Sequence, residues 1–518
     1  MSQTFGRIFF NLSGNFIRNS KIIALETRNI KAGIYFHPKK ICYLGQNNFV
    51  FLNKQKKLLN FEGSYASDEE ILWKYNLHYF DFLNQLGANE KDNKRLVLNW
   101  IETNKFKSNV SWDPFPTSLR VVNWIKWIIN NQIKNKHIDE NLLQQGIYLS
   151  KRIENHITGN HLISNAKALI FLGFYFSSVI GNEILKKGKD LLIRELKKQI
   201  LNDGAHFERS SMYQALIIED LLDIYSLSHR VPHLIDRETI KKYIKKMSQF
   251  QLSMTHSSGE KSYFNDCSEE SSLSYKEISS YAKKLGIELE RITEGILFHK
   301  NSGFISCKDS SSNFIVNYGS IAPDELMAHA NANSLSFEFS LDNQKVFVNS
   351  GCSSYQNLVR RNIERATSAH NTLEIDGKNS SDIWASFRCG KRAKTHIIED
   401  LSSSNCLDFK VFHDGYSSLV SNRFHFRKFF YDFSSIKIED YIQGKFKYAV
   451  SRIHLHPDVV FKDKSIYLKS GKKIMFVYEN CELKVINSFW TKGFGQIEKN
   501  KTLEFMLTSR SSQIKFTW

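Results

Sequence analysis

Apolar side chains recur at helical spacing from about residue 70 to residue 254. Trp73, Leu77, Phe80 and Leu83 lie three or four positions apart, which is the period of a helix that buries one face. The same spacing predicts seven more helices, at 96–101, 116–129, 142–157, 161–180, 184–201, 211–227 and 240–254. Consecutive helix pairs of this kind form a bundle, a solenoid or a closed helical toroid.

From about residue 303 the pattern changes to alternation. In 334–341, Leu and Phe side chains occupy one face and Ser and Glu side chains, including Glu338, the other. This period predicts a strand with one buried face. Asp342-Asn343 predicts a turn into a second strand that begins near Val346. Further strands are predicted at 304–306, 313–316, 371–375, 424–431, 435–441, 448–456 and 483–488.

A run of helices followed by a run of strands predicts a multidomain α+β protein, with a C-terminal antiparallel β-sandwich. We predict an N-terminal extension at 1–70, a helical domain at 71–290 and a β-domain at 300–518. The boundary falls around 286–300, because helical character fades at 275–285.

The chain carries 71 Lys and Arg against 53 Asp and Glu, a formal net charge of +18. This balance indicates either an acidic partner or a lysine-rich compositional bias. No RNA- or DNA-binding signature is present, so we expect no nucleic-acid partner. The seven cysteines are dispersed, which argues against a disulfide framework.

The sequence predicts no membrane span, because no run of eighteen apolar residues occurs. The first 22 residues make a poor signal peptide. The cytoplasm is therefore the default location, and the periplasm remains an alternative.

Two segments of the helical region combine polar side chains that could carry chemistry. Asn160 and His161 precede an apolar helix, where Asn160 either caps the helix or helps to bind a carboxylate at its start. The segment 203–213 contains His206, Arg209 and Tyr213. These side chains either cap and pack the next helix or belong to a functional loop.

His329 and His370 flank the alternating strands, and Arg360, Arg361 and Arg365 lie between them. Clustered arginines suit carboxylate or sulfate recognition. The alternative is a solvated basic loop. No phosphate-binding loop, dinucleotide fingerprint or nucleophile elbow is present.

Six segments together resemble the heparinase II/III family of polysaccharide lyases, of the type found in bacterial surface-polysaccharide gene clusters. They are 73–84, 112–124, 159–176, 203–223, 329–341 and 360–377. The resemblance implies an N-terminal (α/α) incomplete toroid followed by a β-sandwich. It also implies a lyase that cleaves an acidic, uronic-acid-containing polysaccharide or oligosaccharide by β-elimination. A catalytically drifted glycan-binding or assembly protein is the alternative.

By motif position, the resemblance assigns catalytic roles to four residues. Asn160 and His161 match the pair that neutralises the uronate carboxylate. Tyr213 matches the catalytic tyrosine, as proton donor or also as base, and His329 matches the base or transition-state stabiliser. The predicted substrate-binding residues are His206, Arg209, Arg361 and Arg365.

The family's structural zinc site is altered in this chain. Asn331, Asn349 and His370 stand at the ligand positions, and Asn333 stands where the first motif has Asp. Neutral amides are poor zinc ligands. We therefore predict no metal and no other cofactor, with the Asn residues instead hydrogen-bonding to His370.

Overall fold

The computed structural model of the chain describes residues 25–30, 33–58, 70–105, 110–231, 234–289, 294–418 and 422–518. The segment interpreted as a poor signal peptide and part of the predicted domain boundary lie outside these residues. The described residues form two compact units. The first comprises those of 1–200, 217–244 and 280–288, and the second comprises those of 201–216, 245–279 and 289–518. The domain limits predicted from the sequence remain predictions.

Ten α-helices lie in the described residues, and all eight predicted helices are among them. Their bounds are α1 Ile71–Tyr79, α2 Glu90–Thr103, α3 Pro114–Asn131, α4 Lys136–Lys151, α5 Asn160–Tyr175, α6 Val179–Gln199, α7 Ser211–Ser228, α8 Arg237–Ser253, α9 Tyr275–Lys284 and α10 Leu358–Arg365. The predicted loss of helical character at 275–285 is wrong. Helix α9 buries Ile278, Tyr281 and Ala282 at helical spacing, but its ten residues are otherwise mostly polar, so the short apolar stripe is easily overlooked.

The first unit buries a network of opposite charges among its helices. Lys126 Nζ lies 2.6 Å from Asp223 Oδ2, and Lys167 Nζ lies 2.8 Å from Asp220 Oδ1 and also pairs with Asp223. Tyr281 Oη donates to Asp223 Oδ1 at 2.9 Å. Because buried charges are tolerated only when they are paired, these contacts fix how the helices of this unit pack.

The second unit contains three larger antiparallel sheets. The first joins β3 Gly295–His299, β4 Phe304–Lys308, β5 Ser312–Asn317, β6 Phe337–Leu341 and β7 Gln344–Phe347. The second joins, in spatial order, β11 Thr395–Asp400, β12 Leu407–His413, β13 Phe424–Tyr431, β14 Ser435–Gln443, β21 Ser511–Thr517, β18 Lys473–Glu479, β17 Ser465–Tyr467 and β16 Val460–Lys462. The third joins β19 Cys481–Gly493, β20 Gln496–Leu507, β15 Ala449–His454 and β8 Leu373–Ile375.

These three sheets pack on one apolar core. Phe314 of the first sheet stacks on Tyr431 of the second with ring centroids 5.2 Å apart, and Phe476 of the second meets Phe505 of the third at 6.1 Å. Two short hairpins complete the strand set, β1 Asn48–Phe51 with β2 Lys54–Lys57 and β9 Ile383–Trp384 with β10 Arg388–Cys389. The predicted order, helices followed by antiparallel sheets, is confirmed.

The β6–β7 hairpin forms as predicted, but its burial differs. Asp342 and Asn343 adopt φ of 48° and 57°, as a tight two-residue turn requires. All five residues of β6 are buried, so both faces of this strand are buried, whereas the pattern predicted one buried face. The polar face packs on the segment around 256–263, where the Glu338 carboxylate accepts hydrogen bonds from His256 Nε2 at 2.8 Å and Tyr263 N at 3.1 Å.

Among the described residues, no helix combines the length and the apolar character needed to cross a bilayer.

Candidate active site

Tyr213 and His329 meet within the second unit. Tyr213 lies in the first turn of α7, and His329 lies in the loop that leads into β6. The tyrosine Oη is 3.3 Å from His329 Nδ1, and the two rings are tilted at 37° with centroids 4.3 Å apart. Tyr213 is buried, whereas the His329 side chain is 15% exposed. Two groups that can each take part in proton transfer therefore share one partly open position.

Two residues that sequence reasoning missed complete this cluster. Asp266 Oδ2 lies 2.9 Å from His329 Nδ1, and Tyr355 Oη lies 2.9 Å from Tyr213 Oη. Asp266 belongs to the connection between α8 and α9, and Tyr355 to the connection between β7 and α10. Residues in such connections follow no helical or strand period, so the hydrophobic pattern gives no signal for them.

Asp266 is held ionised by a buried arginine. Arg361 Nη1 and Nη2 donate to the two Asp266 carboxylate oxygens, each at 2.5 Å. Burial alone would raise the pKa of Asp266, but Arg361 and the His329 hydrogen bond lower it below its ordinary value. An ionised carboxylate only accepts hydrogen bonds. His329 therefore carries a proton on Nδ1, and its other ring nitrogen, Nε2, lies 3.7 Å from Glu208 Oε2.

Tyr213 is kept in its neutral form. Burial, reinforced by the negative charges of Glu208 and Asp266, raises the pKa of its hydroxyl well above the ordinary value. A neutral phenol holds its proton at neutral pH and can give it to a developing oxyanion. The arrangement therefore places a proton donor beside an imidazole whose orientation is fixed by Asp266.

The predicted substrate-binding residues lie in the same unit, but most point inward. His206 is 1% exposed, and burial lowers its pKa to about 4. Arg209 is partly buried and donates through Nη1 to the Ser320 carbonyl. Arg361 and Arg365 are both fully buried. Their guanidinium groups donate hydrogen bonds to acceptors inside the protein, and this geometry argues against the predicted contact of these two arginines with substrate.

Asn160 and His161 belong to the first unit, at the start of α5. The cap of this helix is Gly159, with φ of 64°, and Asn160 is its first residue, so the expectation that Asn160 caps the helix is wrong. The His161 ring stacks on Phe115 with centroids 4.2 Å apart, and its Nδ1 lies 3.2 Å from Glu154 Oε2. Glu154 is a buried carboxylate that the sequence pattern did not single out.

The residues at the family's zinc positions do not fit a zinc ion. Asn349 Oδ1 already accepts the Asn371 backbone N–H at 3.0 Å. Among the described residues, neither amide atom of Asn331 has a hydrogen-bond partner. The expected hydrogen bond between Asn331 and His370 is therefore absent. The donor set is one imidazole and two neutral amides, which is poor for zinc. Within the part of the chain that the structure describes, no three His, Cys, Asp or Glu side chains are grouped so that they could hold a metal ion.

Solved structures of polysaccharide lyases share this fold. A crystal structure of heparinase III matches with a TM-score of 0.75 at 15% identity, covering 98% of this chain and 88% of that one. The heparan sulfate lyase from Pedobacter heparinus matches with a TM-score of 0.60 at 15% identity, covering 99% and 87%.

Sequence comparison gives the family. A heparin-sulfate lyase from Bacteroides stercoris is 24% identical over 252 residues, which is 43% of this chain and 36% of that protein. The match thus spans about a third of that relative's length. The heparinase II/III N-terminus profile matches residues 65–286, and the heparinase II/III-like C-terminal profile matches residues 292–518. These matches confirm the resemblance found in the sequence, and the chain belongs to the heparinase II/III family.

Proposed function

We propose that the protein is a polysaccharide lyase that cleaves an acidic, uronic-acid-containing glycan by β-elimination. The observation that carries the proposal is the pairing of Tyr213 with His329, oriented by Asp266. In this reaction a base removes the C5 proton of the uronate and an acid protonates the leaving glycosidic oxygen. The site supplies one group suited to each task.

His329 Nε2 takes the C5 proton, and the electron pair left on C5 forms the C4–C5 double bond. The C4–oxygen bond breaks, and Tyr213 gives its phenolic proton to that oxygen. The products are an unsaturated uronate at one new chain end and a free hydroxyl at the other. Asp266 stays ionised and stabilises the imidazolium that forms on His329. After the products leave, His329 releases its proton to water and the Tyr213 phenolate takes one up, which restores the starting state.

The C5 proton is only weakly acidic, so the uronate carboxylate must be stabilised as charge develops on it. We assign this task to Asn160 and His161, on the family motif that they match. The net charge of +18 supports attraction of a polyanionic chain. We propose a glycosaminoglycan-like polymer as the substrate class, because the matched relatives are a heparin-sulfate lyase and a heparan sulfate lyase.

The test is incubation with heparan sulfate, heparin, chondroitin sulfate, hyaluronan and alginate, with absorbance of the new double bond as the readout. Tyr213→Phe should abolish the signal. The matched control is Tyr431→Phe, which removes another buried hydroxyl, 2.6 Å from Ser312 Oγ in the sheet core, and should leave activity intact. Retained activity in Tyr213→Phe would refute the tyrosine's role. Binding of a polymer without cleavage would favour the glycan-binding alternative.

A further inference from the structure

The β9–β10 hairpin exposes two aromatic rings beside the candidate site. Trp384 is 50% exposed and Phe387 is 43% exposed, although side chains of this size are largely buried on average. Exposed apolar groups gathered at a site mark places where ligands bind. The hairpin therefore needs an explanation beyond folding.

The Phe387 ring is continuous with the reacting pair. The Phe387 ring centroid lies 6.1 Å from that of His329 and 5.2 Å from that of Tyr355. Trp384 is placed by Gly390, where an added Cβ would come within 3.0 Å of the indole ring. A larger residue at 390 would displace that ring, so glycine allows it to lie along the hairpin.

Two buried arginines hold the turn of this hairpin. Arg361 Nε donates to the Ser386 carbonyl at 3.0 Å. Arg365 donates to the Ala385 carbonyl through Nη1 and to the Arg388 carbonyl through Nη2, both at 3.0 Å. Three charge-assisted hydrogen bonds fix a turn that contains Ala385 at φ of 50°.

The same arginines also hold the reacting residues. Arg365 Nε donates to the carbonyl of Ala330, the residue after His329, at 2.9 Å. Arg361 is the partner of Asp266, which orients His329. One pair of side chains thus sets the hairpin and the imidazole in a fixed relation, which a surface loop without such contacts would lack.

We propose that Trp384 and Phe387 form a sugar-binding platform that stacks on the apolar face of a pyranose ring in the chain being cleaved, next to the uronate at His329. Arg361 and Arg365 are positioning residues for this platform. The inference rests on the proposed function. A sugar is the occupant because Phe387 adjoins the reacting pair and two side chains present far less surface than a stable protein interface needs. The exposed Arg388 beside them suits an acidic glycan.

The test measures binding without turnover. Tyr213→Phe serves as the parent, and a heparan sulfate octasaccharide fraction is the probe in isothermal titration calorimetry. Trp384→Ala and Phe387→Ala should each weaken binding by about three- to tenfold, the range expected for one aromatic contact. The ratio of each variant's Kd to the parent's Kd should stay the same at raised salt, because stacking on an apolar sugar face is screened far less than an ion pair. Tyr441→Ala, which removes an exposed ring on β14 that is 44% exposed, should bind like the parent.

Arg365→Lys tests the positioning role. Lysine keeps the charge but cannot reach three carbonyls with a planar fork, so binding should weaken as in Phe387→Ala while thermal unfolding shows a folded protein. Parent-like binding by both alanine variants, or a parent that does not bind the octasaccharide, would overturn the platform. A change of oligomeric state on Trp384→Ala with unchanged binding would assign the rings to a protein contact and also overturn it. Lyase activity in the Tyr213-intact protein is scored separately, so either idea can fail alone.

Discussion

Asp266→Asn is the substitution that separates the role of charge from the role of shape at this site. Asp266 is fully buried. Its two carboxylate oxygens each accept a hydrogen bond from Arg361 at 2.5 Å, and Oδ2 also lies 2.9 Å from His329 Nδ1. Asparagine has the same size but no charge. Its amide nitrogen would also point a donor at groups that are themselves donors.

The expected cost in stability follows from the burial of the pair. Removing one partner of a buried ion pair leaves the other charge uncompensated, which costs about 3–5 kcal/mol of unfolding free energy. The pKa of Asp266 is lower in the folded protein than in an unfolded chain, so its contribution is present at neutral pH. It is lost as the pH falls from about 4 toward the folded-state pKa. The stability gap between wild type and Asp266→Asn should therefore narrow in acid.

The expected cost in activity follows from the histidine. Without the carboxylate, nothing fixes the proton on Nδ1 or stabilises the imidazolium, and losses of such an orienting partner reduce rates by about 10²- to 10⁴-fold. The assay is the initial rate of double-bond formation on the best polymer of the panel. It is run at a temperature at which circular dichroism shows every variant folded.

Asp440→Asn is the matched control. Asp440 is also buried, with Arg427 donating from Nε at 2.7 Å and His425 Nε2 at 2.7 Å. Asp440, Arg427 and His425 thus form a second buried Asp–Arg–His cluster, within β13 and β14. The control should lose comparable stability and keep its rate. Equal losses of rate in Asp266→Asn and Asp440→Asn would refute the reasoning, because activity would then follow stability alone.

Three further predictions concern the rest of the chain. Metal analysis of the purified protein should find less than stoichiometric zinc, and a chelator should leave Tm unchanged; one zinc per chain would contradict the assignment of Asn331, Asn349 and His370. Gly351 lies in the loop that leads to Tyr355, and a Cβ added there would lie 2.4 Å from the Thr491 carbonyl oxygen. Gly351→Ala should therefore lower both Tm and activity. Wild-type values of both would show that the loop adjusts without cost. Asp223→Asn in the first unit should cost about 3–5 kcal/mol by denaturant unfolding, and a change below about 1 kcal/mol would mean that the buried lysines find other partners.

The fold was largely predictable because its signals are periodic. Helix α3 and the β6–β7 hairpin follow the spacing of their apolar residues, and the Asp342-Asn343 turn follows from local backbone preferences. Glu338 is an exception, because the alternation placed it on the polar face of β6, where it is in fact buried. A carboxylate inside a strand normally marks a solvent face, but here three N–H donors reach it, from His256 and Tyr263 of a neighbouring segment and from the backbone of Asn349.

The site was predictable only in part. Tyr213 and His329 were found through family motifs, whereas Asp266 and Tyr355 lie in connections, where position is set by tertiary contacts. The inward orientation of the Arg361 and Arg365 side chains could not be predicted from the sequence either. A helix of eight residues places them on its buried side, and only the neighbouring carbonyls and Asp266 explain why charged groups can remain there.

The most direct measurement of the central claim is a heparan sulfate digest carried out in water labelled with a heavy oxygen isotope and analysed by mass spectrometry. Elimination by the Tyr213–His329 pair predicts unsaturated products, each one water lighter than a hydrolysis product, with no label in the new chain ends. Saturated products that carry the label would contradict the account.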